Sequence, residues 1–414
     1  MRTAKIFRVP KDWPTIQAAV NVTISGIGDT IRVDAGVYYE HLTINKSVTV
    51  VGEDRINTII DGNGTGTVVY ITTGVITGSH IGPVCGVNFS RFTVRNGTRG
   101  SGVRIHKSSG VNISENIILN NKYGIELSES YSCTLQDNNM TGNRKNLFVE
   151  GNLLLHFMHK IDVSNTVDGK PVYYWVNEHS QEVPADAGYV AVVNSTDILV
   201  RNLSLTNNGQ GVLFAYTVNS TVANLDVSNN YFGIFLHESR GNIIGGNLMS
   251  KDDFGVSLYS HSHSNIVSNN EVSKNRYVGI CLCDSSNNTI SDNTLSDNQF
   301  GVWLDSSNNN TIYHNDFNNN PTQVYLTMSF NNIWDDGYPS GGNYWSDHNP
   351  SDEDKDKIGD SPYVVEEENV DMYPLIYPFQ FYELGFTPRP DLNNDGIVNI
   401  VDVSTVAMDY EKTI

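Results

Sequence analysis

Cationic side chains are scarce in this chain. Its 26 Lys and Arg stand against 46 Asp and Glu, a formal net charge of −20. That balance disfavours nucleic acid and anionic membrane surfaces as partners. Long apolar runs are also missing, so no stretch is long enough to span a bilayer as a helix. Cysteine is rare: four residues are too few for a disulfide scaffold. Cys281 and Cys283 stand two apart in one apolar run, so on a strand their side chains point the same way, a geometry that suits a disulfide poorly. The opening MRTAKIFRVP has no signal-peptide core. An extracellular or cell-surface location is still expected, because Asn-x-Ser/Thr sequons recur at Asn21, Asn45, Asn63, Asn88, Asn112, Asn194, Asn219 and Asn309. A repeat rich in Asn and Ser also generates such sequons by composition alone.

What the chain has in abundance is a repeat. Blocks begin at Gly211, Gly233, Gly255, Gly279 and Gly301, with a period of 22 residues and one block of 24. The shared pattern is G-[IV]-x-[LF]-x-x-S-x-x-N-x-I-x-x-N-x-[LVF]-x-x-N. Such a period signals a solenoid. Each block holds three apolar runs too short for helices, separated by Gly, Asn and Ser, which read as three strands joined by tight turns. The fixed leucine frame of leucine-rich repeats is missing. The expected fold is all-β: a right-handed parallel β-helix of about a dozen turns, one per repeat. Ile234, Val256, Ile280 and Val302 form one inward column, and Leu236, Leu258, Leu282 and Leu304 the next. The second strand adds Ile244, Ile266, Ile290 and Ile312. Asn247, Asn269, Asn293 and Asn315 recur at turns, where Asn tolerates left-handed backbone and can stack into a ladder.

The β-helix is expected to cover residues 1–385. A short amphipathic helix at residues 13–20 is the candidate cap for its open first turn. The string P-T-I-Q-A-A-V…G-D-T-I-x-V-x-x-G-x-Y-x-E…I-x-K-x-V-T-V-x-G opens the chain. It resembles the N-terminal turns of pectin-lyase-like right-handed β-helices, and within them the NosD-like proteins and their relatives on archaeal cell surfaces. The period breaks at residues 152–187, read as an insertion with an Asp168-Gly169 turn and a Tyr173-Tyr174-Trp175 cluster. The insertion is similar to one in archaeal NosD-like proteins. It is either a lid on a binding face or a hairpin packed on the wall.

Residues 324–385 close the solenoid. Their N-Y-W-S-D string and acidic loop resemble the closing segment of the same proteins. Asp352, Asp354, Asp356 and Asp360 match that family's carboxylates and offer hard oxygen ligands to Ca²⁺. Lys357 stands where the family usually has Gly. Residues 386–414 form a separate tail after Pro388 and Pro390. It reads D-x-N-x-D-G-x-x-N-x-x-D: Asp391, Asn393, Asp395, the Ile397 carbonyl, Asn399 and Asp402 are spaced as calcium ligands, with Gly396 at the sharp turn. Asp at the twelfth position resembles a dockerin repeat, which implies a cohesin-like partner. Dockerins carry two repeats, and one stands here.

Catalytic strings of related folds are mostly missing. Of the polygalacturonase-like set N-T-D, D-D, G-H-G and R-I-K, only Asp252-Asp253 is present. The D-P-H of alginate epimerase-like proteins and the carboxylate–Arg set of pectin methylesterases are not recognisable. A pair of carboxylates assembled from different turns stays open as a route to glycoside hydrolysis. The outward positions of the first strand carry a constructive signal. One column reads Leu213, Phe235, Ser257, Cys281, Trp303, and the other Ala215, His237, Tyr259, Cys283, Asp305. Phe235, His237, Tyr259, Trp303 and Asp305 suit a glycan-binding face, where rings stack on sugars and polar groups orient hydroxyls. A polysaccharide lyase or glycoside hydrolase is the first alternative. The second follows the NosD resemblance to copper, with Cys281, Cys283 and His237 as soft ligands.

The tail makes a direct test. Calorimetry on residues 386–414 fused to a carrier is expected to show Ca²⁺ binding of modest affinity, with the following helix ordering as it binds. No heat at millimolar Ca²⁺ would refute the ligand set.

Overall fold

The computed structural model describes residues 3–72, 86–366 and 368–379. It is a parallel β-solenoid of about 14 turns at about 22 residues per turn, with almost no helix. The calcium loop at residues 391–402 lies outside the described residues.

The cap differs from expectation in its bounds. A strand, Ile6–Val9, comes first and pairs with Thr30–Val33. The helix then runs Ile16–Val22, with Thr15 as its N-cap. It buries Ile16, Ala19 and Val20 over the open first turn. Two charges from the next turn hold its ends. Glu40 accepts the N–H groups of Ile16 and Gln17 at 2.9 Å each. Lys46 donates to the carbonyls of Val20, Asn21 and Thr23. An anion at the N-terminus and a cation at the C-terminus each oppose the helix dipole. These are the Glu and Lys of the opening string.

The solenoid is built in two segments that share one 14-stranded sheet. The joint lies in the stretch read as an insertion. Thr166–Val167 pairs antiparallel with Lys170–Val176, turning at Asp168 and Gly169 with φ of 47° and 83°. Two positive φ values in a two-residue loop are the tight hairpin geometry that Asp-Gly favours. Pairing is parallel again from Lys170–Val176 to Tyr189–Val193 and onward. One reversal thus puts the second segment's interior on the opposite side of the shared sheet.

The packing shows this residue by residue. Tyr189, Ala191 and Val193 belong to the first segment's core, while Val190 and Val192 belong to the second's. Leu213, Ala215 and Phe235 likewise face the first core, and Val212, Phe214, Ile234 and Leu236 the second. Tyr174 sits in the first core with its hydroxyl on the Phe157 carbonyl at 2.6 Å, and Tyr173 and Trp175 lie against the second. The Tyr-Tyr-Trp cluster is therefore packing within the shared sheet, not a lid.

The 24-residue block shifts the expected columns by one. Its two extra residues lie in two corners, one before Asn265 and one after Asn275. Ile266 consequently points outward at 41 % exposure, and Val267 takes the inward place between Ile244 and Ile290. For the same reason the ladder runs through Asn270, not Asn269: Asn247, Asn270, Asn293, Asn315 and Asn343 each pass an amide to the next at 2.9–3.0 Å. Asp371 ends that ladder, accepting from the Asn343 N–H and the Trp345 indole. Trp345 stacks between Phe317 and Tyr363 at 4.3 and 4.0 Å. The Asn-Tyr-Trp string thus plugs the C-terminal end of the barrel.

A second ladder has an odd member. Asn208, Asn230, Asp252, Asn275, Asn298 and Asn320 follow one another, all buried. Asn230 donates to Asp252 Oδ1 through its backbone and its side chain, at 2.6 and 3.1 Å. Oδ2 is buried with no hydrogen-bond partner among the described residues. In neighbouring turns the corresponding Nδ2 donates to a carbonyl, as Asn298 does to Val272. Burial, opposed by the Asn230 hydrogen bonds and by Lys145, pushes the Asp252 carboxyl up from 3.8 to about 7. The folded state therefore holds its proton more tightly than the unfolded state. Stability from this group is complete below pH 3.8 and is lost as pH rises to about 7. Asp252→Asn, which restores the amide donor, should flatten that decline. Melting temperatures of parent and variant between pH 4 and 8 should diverge as pH rises; parallel curves would contradict the reading.

Candidate functional site

The outward columns of the shared sheet align as the repeat implies. Phe235, Ser257, Cys281, Trp303 and Tyr325 are successive partners, as are His237, Tyr259, Cys283, Asp305 and Thr327. Their surroundings change sharply along the sheet. Tyr189–Val193, Gln210–Ala215 and Phe232–His237 are buried at every position, because the first segment lies on their outer face. From Phe254–Tyr259 onward the outer face opens by degrees: Tyr259 and Cys283 are half-buried while Ser257 and Cys281 stay buried, and by Thr322–Thr327 only one residue is buried.

Two of the five expected ligand residues fall under the cover. Phe235 is 8 % exposed and His237 is 3 % exposed. Phe157 places its ring 5.0 Å from that of His237, and Phe232 stacks on Phe235 at 4.5 Å. Burial pushes the His237 imidazole down to about 4, against the opposing pull of the Asn152 backbone. Its Nε2 has no hydrogen-bond partner among the described residues. The premise that these two positions escape core packing does not hold, since the core they serve is the other segment's.

Of the other three, Trp303 and Asp305 reach the open part and Tyr259 lies at its edge, packed against the first core. Tyr259, Trp303 and Asp305 are each half-buried. Trp303 meets Phe300 at 5.8 Å and Tyr325 edge-on at 5.5 Å. Tyr325 is 45 % exposed and completes the aromatic group. It occupies the outward column one turn beyond Trp303, so carrying the repeat past Gln323 would have found it. Ser257 and Cys281 form a lower strip between this group and the Phe235–Tyr259 pair. Trp303 Nε1 and Ser257 Oγ are buried without partners among the described residues.

A further charged group sits at the junction and has no sequence signature. Lys145, 6 % exposed, donates its ammonium to the Asn229 carbonyl across the two segments. Burial pushes it down to about 8, with Asp253 and Asp252 opposing. Its neighbours come from turns more than 80 residues away.

With this geometry in place, comparison adds a family. Residues 159–350 match the family described as "Periplasmic copper-binding protein (NosD)". The chain is NosD-like over that span. No curated protein matches it. Among solved structures, the A-module of mannuronan C-5 epimerase AlgE6 from Azotobacter vinelandii is 16 % identical, covering 77 % of this chain and 93 % of that one, with a TM-score of 0.35. Alginate lyase from Paenibacillus sp. str. FPU-7 is 9 % identical, covering 73 % and 99 %, with a TM-score of 0.33. DFA-IIIase from Arthrobacter chlorophenolicus A6 in complex with GF2 is 14 % identical, covering 74 % and 93 %, with a TM-score of 0.32.

The metal candidates can be weighed on their donors. Cys281 and Cys283 lie side by side, with Sγ atoms 3.6 Å apart. His237 does not join them: the strand Phe254–Tyr259 stands between, so it is two strands away from Cys283, about 10 Å. The three-ligand copper set is therefore not assembled, and two thiols remain. In the acidic loop, Asp352, Asp354 and Asp356 each bring a carboxylate oxygen within 4.8 Å of the others. Asp360 points elsewhere and accepts the Glu353 N–H. Partial desolvation, then the charges of Asp356, Asp360 and Asp352, hold the Asp354 carboxyl above its ordinary value. Lys355 and Lys357 have φ of 62° and 75°, in the left-handed region that favours Gly. The family's Gly at the Lys357 position is thus explained by backbone.

The cover over the sheet makes a distinguishing prediction. Phe235→Ala should destabilise the fold by about 3 kcal/mol in a denaturant titration, as loss of a core Phe does. A change below about 0.5 kcal/mol, usual for surface positions, would show the site is open.

Proposed function

We propose that the open part of the shared sheet binds glycan through Tyr259, Trp303 and Asp305, with Tyr325 extending the surface. The observation that carries this is the pair of rings at Trp303 and Tyr325 on the strands beyond the first segment's core, with Tyr259 packed at that core's edge. Under the first segment, outward aromatics complete a core. Beyond it, Trp303 is half-buried and Tyr325 is 45 % exposed, packed on each other and on Phe300. Rings of this kind stack on sugar C–H faces, and a half-buried Asp305 orients hydroxyls. Phe235 and His237 support the surface from beneath its covered edge.

The setting is extracellular or cell-surface. The family description places such proteins in the periplasm, and no helix among the described residues is long and apolar enough to cross a membrane. Calcium is proposed as the ion of the Asp352, Asp354 and Asp356 loop and of the tail ligands Asp391 to Asp402. A cohesin-like partner is proposed for the tail.

Paired substitutions test the glycan face. Trp303→Ala should abolish binding to a glycan selected on an array and leave the melting temperature near the parent's. Leu304→Ala, its inward neighbour at 0 % exposure, should cost roughly 2–5 kcal/mol of folding free energy and spare binding in the folded fraction. Binding unchanged in Trp303→Ala, or unfolding as severe as in Leu304→Ala, would move the site elsewhere.

A further inference from the structure

The closing segment treats the three sheets of the second solenoid unequally. The sheet that ends at Thr311–Tyr313 is continued by Ile333, which bridges to Thr311 and bonds Asn310 and Ile312 through its main chain at 2.9 and 2.8 Å. The sheet that ends at Asp316–Asn318 is continued by Tyr344–Trp345, and Tyr344 in turn by Leu375. The shared sheet ends at Thr322–Thr327, whose one neighbouring strand is Phe300–Asp305. No main-chain hydrogen bond joins Thr322–Thr327 to any later described residue. One edge of that strand is thus unpaired among the described residues.

The hairpin of Tyr363–Glu366 and Asn369–Asp371 comes close without pairing. Tyr363 and Val365 pack on the second core, as Val324 and Leu326 do, so the hairpin plugs the barrel's interior and leaves the strand's edge. Asn369 fixes it there, accepting the Trp334 indole N–H at 3.0 Å. Between hairpin and strand runs a groove of about 240 Å³, lined by Leu326, Met328, Phe330, Glu366 and Glu368 among others. Met328 and Phe330 are large, apolar and exposed. Unpaired edges template pairing with another chain, and natural sheets blunt them with charge, Pro or a covering element. The first turn is covered by the helix Ile16–Val22. Thr322–Thr327 carries neither charge nor Pro, and its sequence TQVYLT is rich in strand formers.

We propose that this edge accepts an extended basic peptide from a partner protein, which adds one strand to the 14-stranded sheet. Main-chain bonds to Thr322–Thr327 supply the pairing, and the groove selects the side chains, as in other strand additions. Apolar side chains rest on Leu326, Met328 and Phe330, and Lys or Arg meets Glu366 and Glu368 at the rim. Charge decides against a second copy of this chain. Each copy carries −20, and twofold pairing of the strand would bring two sets of Glu366 and Glu368 together. The same charges draw a basic segment in. The inference goes beyond the glycan reading and uses a different surface, the strand's edge and not its outer face.

The test titrates the full chain with a fluorescent peptide, Lys-Thr-Val-Thr-Val-Thr-Lys, blocked at both ends. Alternate residues share a face, so Lys, Val, Val and Lys meet the groove together in either strand sense. Saturable one-to-one binding is expected, weakening as salt rises. Replacing both Lys by Glu should weaken it at least about tenfold. N-methylating the Val amides in one peptide and the Thr amides in another removes the donors of one edge in each; one of the two should bind at least about tenfold more weakly. Phe330→Ala should weaken the peptide and keep both glycan binding and the melting temperature, and Trp303→Ala should keep the peptide. Glu366→Lys combined with Glu368→Lys should reverse the preference between the Lys and Glu peptides. The proposal is overturned if the parent does not bind the Lys peptide at millimolar concentration, if neither methylated peptide loses affinity, or if the Lys and Glu peptides bind alike. It is also overturned if the chain sediments as a dimer that Phe330→Ala dissociates, which would make a second copy the occupant.

Discussion

A strand can be apolar on both faces only where something lies on each. That constraint organises this molecule. One antiparallel step at Asp168-Gly169 sets the two solenoid segments on opposite sides of a single sheet, so the strands near the joint must serve two cores at once. Their sequences comply: YVAVV has no polar residue, and QGVLFA and FGIFLH have one each, at an end. The edge strand Lys145–Glu150 is held to the second segment by main-chain bonds, Gly209 N–H to the Leu147 carbonyl at 2.8 Å among them. Glycine at 209 is required there, since a Cβ would stand 2.3 Å from the Phe148 ring. The joint is therefore packed as a core and not as a flexible linker.

Polar satisfaction is the second constraint. Each turn buries Asn and Ser side chains in its corners, and a buried amide without partners costs heavily. Stacking solves the problem for every turn except the last, because each Asn donates to the next and accepts from the one before. The end of such a ladder needs an acceptor that no further turn supplies, and Asp371 fills that place from the closing segment. Asp252 obeys the same logic in the wrong chemical form. A carboxylate cannot donate, so a ladder that passes through it either holds a proton or loses a bond.

The period, the strand class and the inward and outward alternation were all legible in the sequence, because they are local and repeated. Glu40 and Lys46 were visible as part of a string, though only the structure shows them as caps on one helix. Two things were hidden. The one-residue slips in the block after Gly255 moved Ile266 outward and replaced Asn269 by Asn270, because an insertion in a corner changes register without changing composition. The burial of Phe235 and His237 was hidden for a deeper reason. Alternation says which residues leave a strand on the same side, and it says nothing of what lies beyond that side. The signal was present in a weaker form: YVAVV and QGVLFA do not alternate, and a strand that fails to alternate has a partner on both faces.

That rule also locates function along the sheet. Where the outer column reads Leu213, Ala215 and Phe235, its chemistry is fixed by the first segment's core. Where it reads Trp303 and Asp305 the column is half-buried, while Ser257 and Cys281 before them are still buried. Selection for packing produces repetition in a solenoid, as the Ile and Leu columns beneath the same strands show. The outer column varies under the cover as well, from Leu213 to Phe235, so exposure and not loss of repetition marks its open end. The rings of Trp303 and Tyr325 are thus read best as chemistry aimed at solvent.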